Sequence, residues 1–188
     1  MSATTKEKIL KTTFLLLLEK GYDRVLVSDI QQALGISRGL MYRYFSSKSD
    51  LFLQACTQYF YTRYLEKLDY ENMSLSQYLD YAKFALSKIV DIDGSPVEIL
   101  KYNTLYSAYM QADENFKQLL FAGFASARMV IHNAVLRGEI KDISESFVGA
   151  TLLAIFGRTS YISETPSNEY VCKRIVEDVD IFYNLIKK

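Results

Sequence analysis

Only two prolines and eight glycines interrupt these 188 residues, and between them apolar residues recur every three or four positions. That spacing lines one face of an α-helix, so the chain reads as all-α with no convincing strand. A first helix is expected over about 5–20, where Ile9, Leu10, Thr13, Phe14, Leu16 and Leu17 form an inward stripe and Gly21 ends it. Val27-Ser28-Asp29-Ile30 starts a short second helix, with Ser28 as N-cap and Gly35 as its stop. A third short helix covers about 37–45, and Ser47-Lys48-Ser49-Asp50 opens a long one to roughly residue 70. Met73-Ser74 begins the next, which ends near Asp93-Gly94. Ser95-Pro96-Val97-Glu98 then reads as a Ser cap, a Pro at the first helical position and a Glu closing a capping box. That helix runs to about 111, and further helices follow over about 113–137, 142–163 and from Thr165-Pro166 to the end, making about nine.

Zero net charge hides an asymmetry. Residues 1–50 carry eight Lys and Arg against five acids, leaving 14 bases against 17 acids in the remainder. A net +3 segment on a net −3 body is what a chain needs if only its N-terminal part meets a polyanion. Cys56 and Cys172 share no motif with a metal or redox partner, and fit two small buried hydrophobes in a reduced, intracellular protein. The run Phe14 to Leu18 is short and leads into Glu19-Lys20-Gly21, unlike a signal peptide. No apolar run approaches the ~18–20 residues needed to span a bilayer, so a cytoplasmic location and no membrane partner are expected.

The chemistry concentrates in Val27 to Leu51, VSDIQQALGISRGLMYRYFSSKSDL. Two short helices joined at Leu34-Gly35-Ile36-Ser37 meet the requirement of a helix-turn-helix. Ile30, Ala33, Leu34, Ile36, Leu40, Met41 and Phe45 supply a miniature core, and Gly35 permits the positive φ of the sharp turn. Ser37 caps the third helix and leaves its first amides facing outward. On the outer face remain Arg38, Gly39, Tyr42 and Arg43, with Tyr44 at the flank and Lys48 beyond; no acid lies between Ser37 and Lys48. Arg matches the O6/N7 edge of guanine, Tyr offers a hydroxyl to phosphate and a ring to a thymine methyl, and Gly39 lets the backbone approach a groove floor. Each residue alone is more ordinarily a solvated surface group. Together they point to DNA.

Lys8-Ile9-Leu10, Glu19-Lys20-Gly21-Tyr22, and Ile30-x-x-Ala33-Leu34-Gly35-Ile36-Ser37-x-Gly39-x-x-Tyr42-x-Tyr44-Phe45-x-x-Lys48-x-x-Leu51 resemble the N-terminal signature of TetR-family transcriptional regulators. The likeness covers about the first 55 residues; the rest matches in helix count and length. Ser28 stands where Thr is commoner, Gln31 replaces a small residue, Thr12-Thr13 replace an Ala pair, and Leu15 and Leu18 are more apolar than usual. The resemblance implies a helix-turn-helix DNA-binding domain over 1–47 and a helical ligand-binding and dimerisation domain over 48–188. It implies a homodimer on a palindromic double-stranded operator, most commonly a repressor, with recognition helices about one turn (~34–36 Å) apart. It places Arg38, Gly39 and Arg43 at base-reading positions. Ser28, Tyr42, Tyr44 and Lys48 fall at phosphate-positioning ones, beside the Ser37 cap.

In the body, Ala150, Ala154 and Gly157 form a small-residue stripe that lets another helix approach, flanked by Tyr161, while Val148, Leu152, Ile155, Phe156 and Ile162 suit the protomer's own core. Val171, Ile175, Val179 and Phe182 recur at helical spacing on the last helix. This helix pair is the expected dimer interface, against the plainer reading of a monomer core. Aromatic residues crowd the middle helices. Tyr64, Phe84, Tyr102, Tyr106, Tyr109, Phe121 and Phe124 are candidates to line a cavity for a small, largely apolar effector. The long helix over 47–70 would be the lever between cavity and head. No cofactor, metal site or enzyme activity is expected. The one histidine, His132, lies beside Val130 and Ile131, and no nucleophile triad, metal-ligand spacing or phosphate loop occurs. The competing class is a helical small-molecule or protein-binding module without DNA binding.

Overall fold

Everything in the N-terminal third is assembled on α1 (Thr5–Lys20). In the computed structural model, residues 4–60, 68–160 and 166–188 are described. A capping box fixes the start of α1: the Glu7 amide donates to Thr4 Oγ1 at 3.3 Å and the Thr4 amide to Glu7 Oε2 at 2.7 Å. Its inward stripe, Ile9, Leu10, Thr13, Phe14 and Leu17, is buried, and Leu16 is half-buried. A 3-10 turn (Tyr22–Arg24), α2 (Val27–Leu34) and α3 (Arg38–Tyr42) complete a three-helix head, and α4 (Lys48–Tyr59) runs along α1.

The body follows: α5 (Leu75–Ile89), α6 (Ile99–Ala112), α7 (Glu114–Leu136), α8 (Glu145–Phe156) and α9 (Asn168–Ile186). Nine α-helices therefore make up the described residues, with one small exception to all-α. Asp91–Ile92 (β1) pairs antiparallel with Ser95–Pro96 (β2). Asp93 and Gly94 both adopt positive φ, 50° and 79°, which is the two-residue turn that Asp-Gly favours. The expected Ser-Pro helix start is thus a hairpin strand. α6 begins later, at Ile99, where Asn168 of α9 supplies the missing cap: its Oδ1 accepts from the Ile99 amide and its Nδ2 donates to the Val97 carbonyl, both at 2.8 Å.

Two further expectations change. Asp29, not Ser28, serves the start of α2, since Leu26 is the N-cap and its amide donates to Asp29 Oδ2 at 2.8 Å. The long helix from residue 47 stops at Tyr59. Phe60 turns extended (φ −77°, ψ 155°) and drives its ring into the core. The stretch 61–67 lies outside the described residues. The helix expected to reach residue 163 ends at Phe156, where Gly157 is the C-cap and its amide donates to the Leu153 carbonyl.

One apolar cluster runs without a gap from Ile30, Met41 and Phe45 of the head region through Phe14 and Phe60 to Tyr102, Phe116 and Ile175 of the body. A second, around Leu75, Val130, Ile131, Val148, Leu152 and Val179, holds the far end. Thr13 is fully buried, and its hydroxyl finds no hydrogen-bond partner among the described residues. A buried orphan hydroxyl costs free energy that an isosteric methyl does not. Thr13→Val should therefore raise unfolding stability by about 1 kcal/mol in urea titration; a lowered midpoint would mean that the hydroxyl is satisfied in solution.

Candidate DNA-binding head and effector cavity

The head's outward face is set by short-range caps. Gly35 takes the left-handed conformation (φ 63°) that closes the turn after α2. Ser37 then caps α3, its Oγ accepting from the Leu40 amide at 3.2 Å. Ile30, Met41 and Phe45 are buried beneath, while Leu34, Ile36 and Leu40 are half-buried. Ala33, expected in this small core, is exposed instead, because the turn of α2 that carries it faces solvent.

Above that core lie Arg38, Gly39, Tyr42, Arg43 and Tyr44, all exposed. The Arg38 guanidinium sits 5.5 Å from the Tyr42 ring, which restrains both side chains. Gly39 is not demanded by packing, since a Cβ there would meet nothing within 4 Å. Ser28 is exposed on α2. At the start of α4, Ser47 Oγ accepts from the Asp50 amide at 3.0 Å, and the Lys48 ammonium lies 5.0 Å from the Phe52 ring. Among the described residues neither Arg38, Arg43 nor Lys48 makes an ion pair. Two of the nearby acids are engaged: Asp29 takes the Leu26 amide and Lys20 (3.0 Å), and Asp50 takes Gln54, the Ser46 amide and the Ser46 hydroxyl. These hydrogen bonds hold both carboxyls below the usual Asp range, the Leu26 amide dominating at Asp29 and the Gln54 amide at Asp50. The outer face is left cationic and aromatic.

A cavity of about 710 Å³ opens between α5, α6, α7 and α8. Of the residues singled out from sequence, Tyr106 and Phe124 stand on its wall. Tyr102 and Tyr109 do not: both are fully buried in the core. Tyr109 packs between Tyr22 (4.9 Å) and Phe116 (4.4 Å), and burial pushes its phenol pKa upward. Phe84 and Phe121 do not either. Both are more than half exposed, with the Lys88 and Lys117 ammoniums 5.0 and 5.9 Å from their rings. Tyr64 lies outside the described residues. Sequence reasoning missed the contributions of Met110, Leu120, Ile131 and Arg128, and of Ala150 and Gly157 from α8. Only a known α7–α8 register would have brought these to one wall.

The expected dimer residues divide sharply. Val171, Ile175 and Val179 are buried in the protomer's own core, so they cannot face a partner. Helical periodicity marks an apolar stripe without saying which body covers it. The exposed apolar side of α8 and α9 carries Phe147, Leu153, Ile181 and Leu185 instead, with Ala150 and Ala154 also exposed. Phe182 is half-buried, 6.4 Å from Phe147. A Cβ on Gly157 would come within 2.8 Å of the Leu153 carbonyl, so the last turn of α8 itself requires glycine. Tyr161 lies outside the described residues, among which no cluster of three or more His, Cys, Asp or Glu gathers for a metal.

Residues 9–55 match the family described as bacterial regulatory proteins, tetR family. Over 54 residues, 29% of the chain, the sequence is 41% identical to YerO of Bacillus subtilis (strain 168), an uncharacterized HTH-type transcriptional regulator. That match spans only 19% of the relative's own length. The ketosteroid transcriptional regulator KstR2 of Mycobacterium tuberculosis superposes with a TM-score of 0.68 at 14% identity, covering 100% of this chain and 97% of that one. A TetR transcription regulator from Haloarcula marismortui ATCC 43049 gives 0.66 at 16% identity, covering 97% and 98%. At these identities the superpositions speak to fold alone.

Leu26 sits at the N-cap of α2 with no side-chain acceptor and with its side chain 57% exposed. Leu26→Thr supplies that acceptor and should stabilise the protein by about 0.5–1 kcal/mol in chemical unfolding. An unchanged or lower midpoint would show that the leucine makes a contact worth more than a cap.

Proposed function

We propose that this chain, a TetR-family regulator, acts as a homodimeric transcriptional repressor that holds a palindromic operator and is released by a small, largely apolar effector. The supporting observation is the outer face of α3. It presents Arg38, Tyr42, Arg43 and Tyr44 to solvent, with no acid paired to any cation there. A surface like that is costly to hide and well matched to a polyanion. Arg38, Gly39 and Arg43 read base edges. Ser28, Ser37, Tyr42, Tyr44 and Lys48 position phosphates, and the protein works in the cytoplasm, where the DNA is.

Two-fold operator symmetry asks for a two-fold protein. The exposed apolar side of α8 and α9 is the face for a second copy, with Ala150 and Ala154 allowing close approach and Phe147, Leu153, Ile181 and Leu185 supplying apolar area. The cavity between α5 and α8 receives the effector. The ligand favours the arrangement in which the two α3 helices are wrongly spaced for successive grooves, since equal affinity for both arrangements would shift nothing.

Operator selection followed by gel shift tests the head. Arg43→Ala should cost about 1–3 kcal/mol on the selected site and relax preference at one base position. Lys48→Ala should weaken all sequences alike and reduce the salt slope. Gly39→Ala should raise stability by about 0.5–1 kcal/mol while weakening DNA binding, because only the groove needs the glycine. Retention of no duplex at low salt would end the proposal. For the dimer, sedimentation should show Ile181→Glu with Leu185→Glu as a folded monomer with unchanged circular dichroism. A dimer surviving that double change would move the interface elsewhere.

A further inference from the structure

We infer that the effector is an amphipathic organic acid, whose apolar body fills the cavity and whose carboxylate pairs with Arg128. The inference rests on the reading of that cavity as the effector site. Its wall is largely apolar, with Met110, Leu120, Phe124, Ile131, Leu152 and Phe156 prominent. Among the described residues that line it, two are formally charged, Arg128 and Glu145. They are not equivalent. Glu145 stands in the first turn of α8, where the helix dipole favours an acid, and its Oε1 is 2.8 Å from His132 Nδ1. Arg128 makes no ion pair among the described residues. It is also the only Lys, Arg, Asp or Glu between residues 118 and 136, on a helix that is otherwise almost wholly apolar.

Position matters as much as charge. Phe124 and Ile131 lie four residues before and three after Arg128 on α7, and all three line the cavity. Arg128 therefore stands on the apolar wall while remaining exposed to water. A ligand without an acceptor seated there would cover part of that cation and return no hydrogen bond, and a hydroxyl would return one neutral bond at most. A carboxylate returns two in the bidentate geometry that guanidinium prefers. An amine would meet like charge. The asymmetry between a satisfied acid and an unsatisfied base selects the sign of the ligand.

The full-length protein, loaded with the neutral fluorescent probe N-phenyl-1-naphthylamine near pH 7, provides the test. Two matched pairs compete for it: decanoate against 1-decanol, and 1-naphthoate against 1-naphthol. In at least one pair the acid should displace the probe at about tenfold lower concentration or less than its alcohol. Arg128→Met, which keeps an apolar stem, should bring that ratio close to one, chiefly by weakening the acid. The inference is overturned if neither acid outcompetes its alcohol, or if the preference survives in the methionine variant. Displacement by the alcohols alone would leave the cavity reading intact and remove only the charge selection. If the probe does not bind and none of the four compounds shifts the melting temperature, the cavity reading falls as well.

Discussion

The structure turns on the ring of Phe60. It is completely buried and lies 5.5 Å from Phe14, 5.2 Å from Tyr102, 5.0 Å from Tyr106 and 5.3 Å from Phe116. Most of these pairs meet edge to face, an arrangement that adds to the gain from burial alone. Phe14 belongs to the head's first helix, whereas Tyr102 and Tyr106 belong to α6 and Phe116 to α7. One side chain thus joins both parts of the molecule, and α4 gives up its helical path at residue 60 to place it. A head attached by so continuous a core is packed against the body, unlike one hung on a linker. Three further contacts brace the same junction. Tyr22 packs at a tilt against Tyr109 at 4.9 Å and meets Phe52 edge-on at 5.7 Å, and Lys11 Nζ donates to the Asp93 carbonyl of the hairpin turn at 2.9 Å.

Away from that junction the helices are tied by polar groups acting at helix ends. The Glu139 carboxylate accepts from the Leu75 and Ser76 amides and from the Tyr183 hydroxyl, joining the start of α5 to α9. Asn103, buried on α6, donates to the carbonyls of Phe156 and Arg158 at 2.8 Å and so secures the end of α8. Arg158 then reaches Asp178 at 2.6 Å on α9. Arg137 donates to the carbonyls of Glu71, Asn72 and Met73. Glu139 and Asn103 satisfy backbone groups that helix ends leave open, so the cost of burying those groups is avoided. The same residues fix how α6, α8 and α9 sit around the cavity and the exposed apolar face.

Local rules were enough for much of this architecture. Thr4, Ser37, Ser74, Asp113 and Gly35 act at the helix boundaries where their chemistry places them, and the head's face could be read from the residues left over once Ile30, Met41 and Phe45 were assigned inward. Local rules failed where a distant residue decided the outcome. Ser95-Pro96 has every mark of a helix start, yet Asn168 of α9 performs the capping and the Asp-Gly turn pulls Ser95-Pro96 into a hairpin. Val171, Ile175 and Val179 form a stripe indistinguishable from an interface stripe until the covering helices are known. Tyr102 and Phe84 are both aromatic at helical spacing, but one is sealed in the core and the other lies under a lysine on the surface. Periodicity gives a face. It does not give the face's neighbour.

Tyr106 brings these threads together. It lines the cavity and is also a neighbour of Phe60 and Phe116, at 5.0 and 5.8 Å. From there two routes reach the head: Phe60 to Phe14 on α1, and Phe116 through Tyr109 to Tyr22. A close-packed interior does not absorb a displaced ring locally, because its neighbours have no void to move into. A molecule that displaces Tyr106 must therefore either pay for strain in the aromatic cluster or shift α1 relative to α6. The second outcome changes the direction of α3, which rests on α2 and, through it, on α1. On the proposed function, that would be the physical content of coupling in this fold: one set of packed rings joins the cavity wall to α1, on which α2 and α3 rest, and a ligand's preference for one packing would become a preference for one spacing.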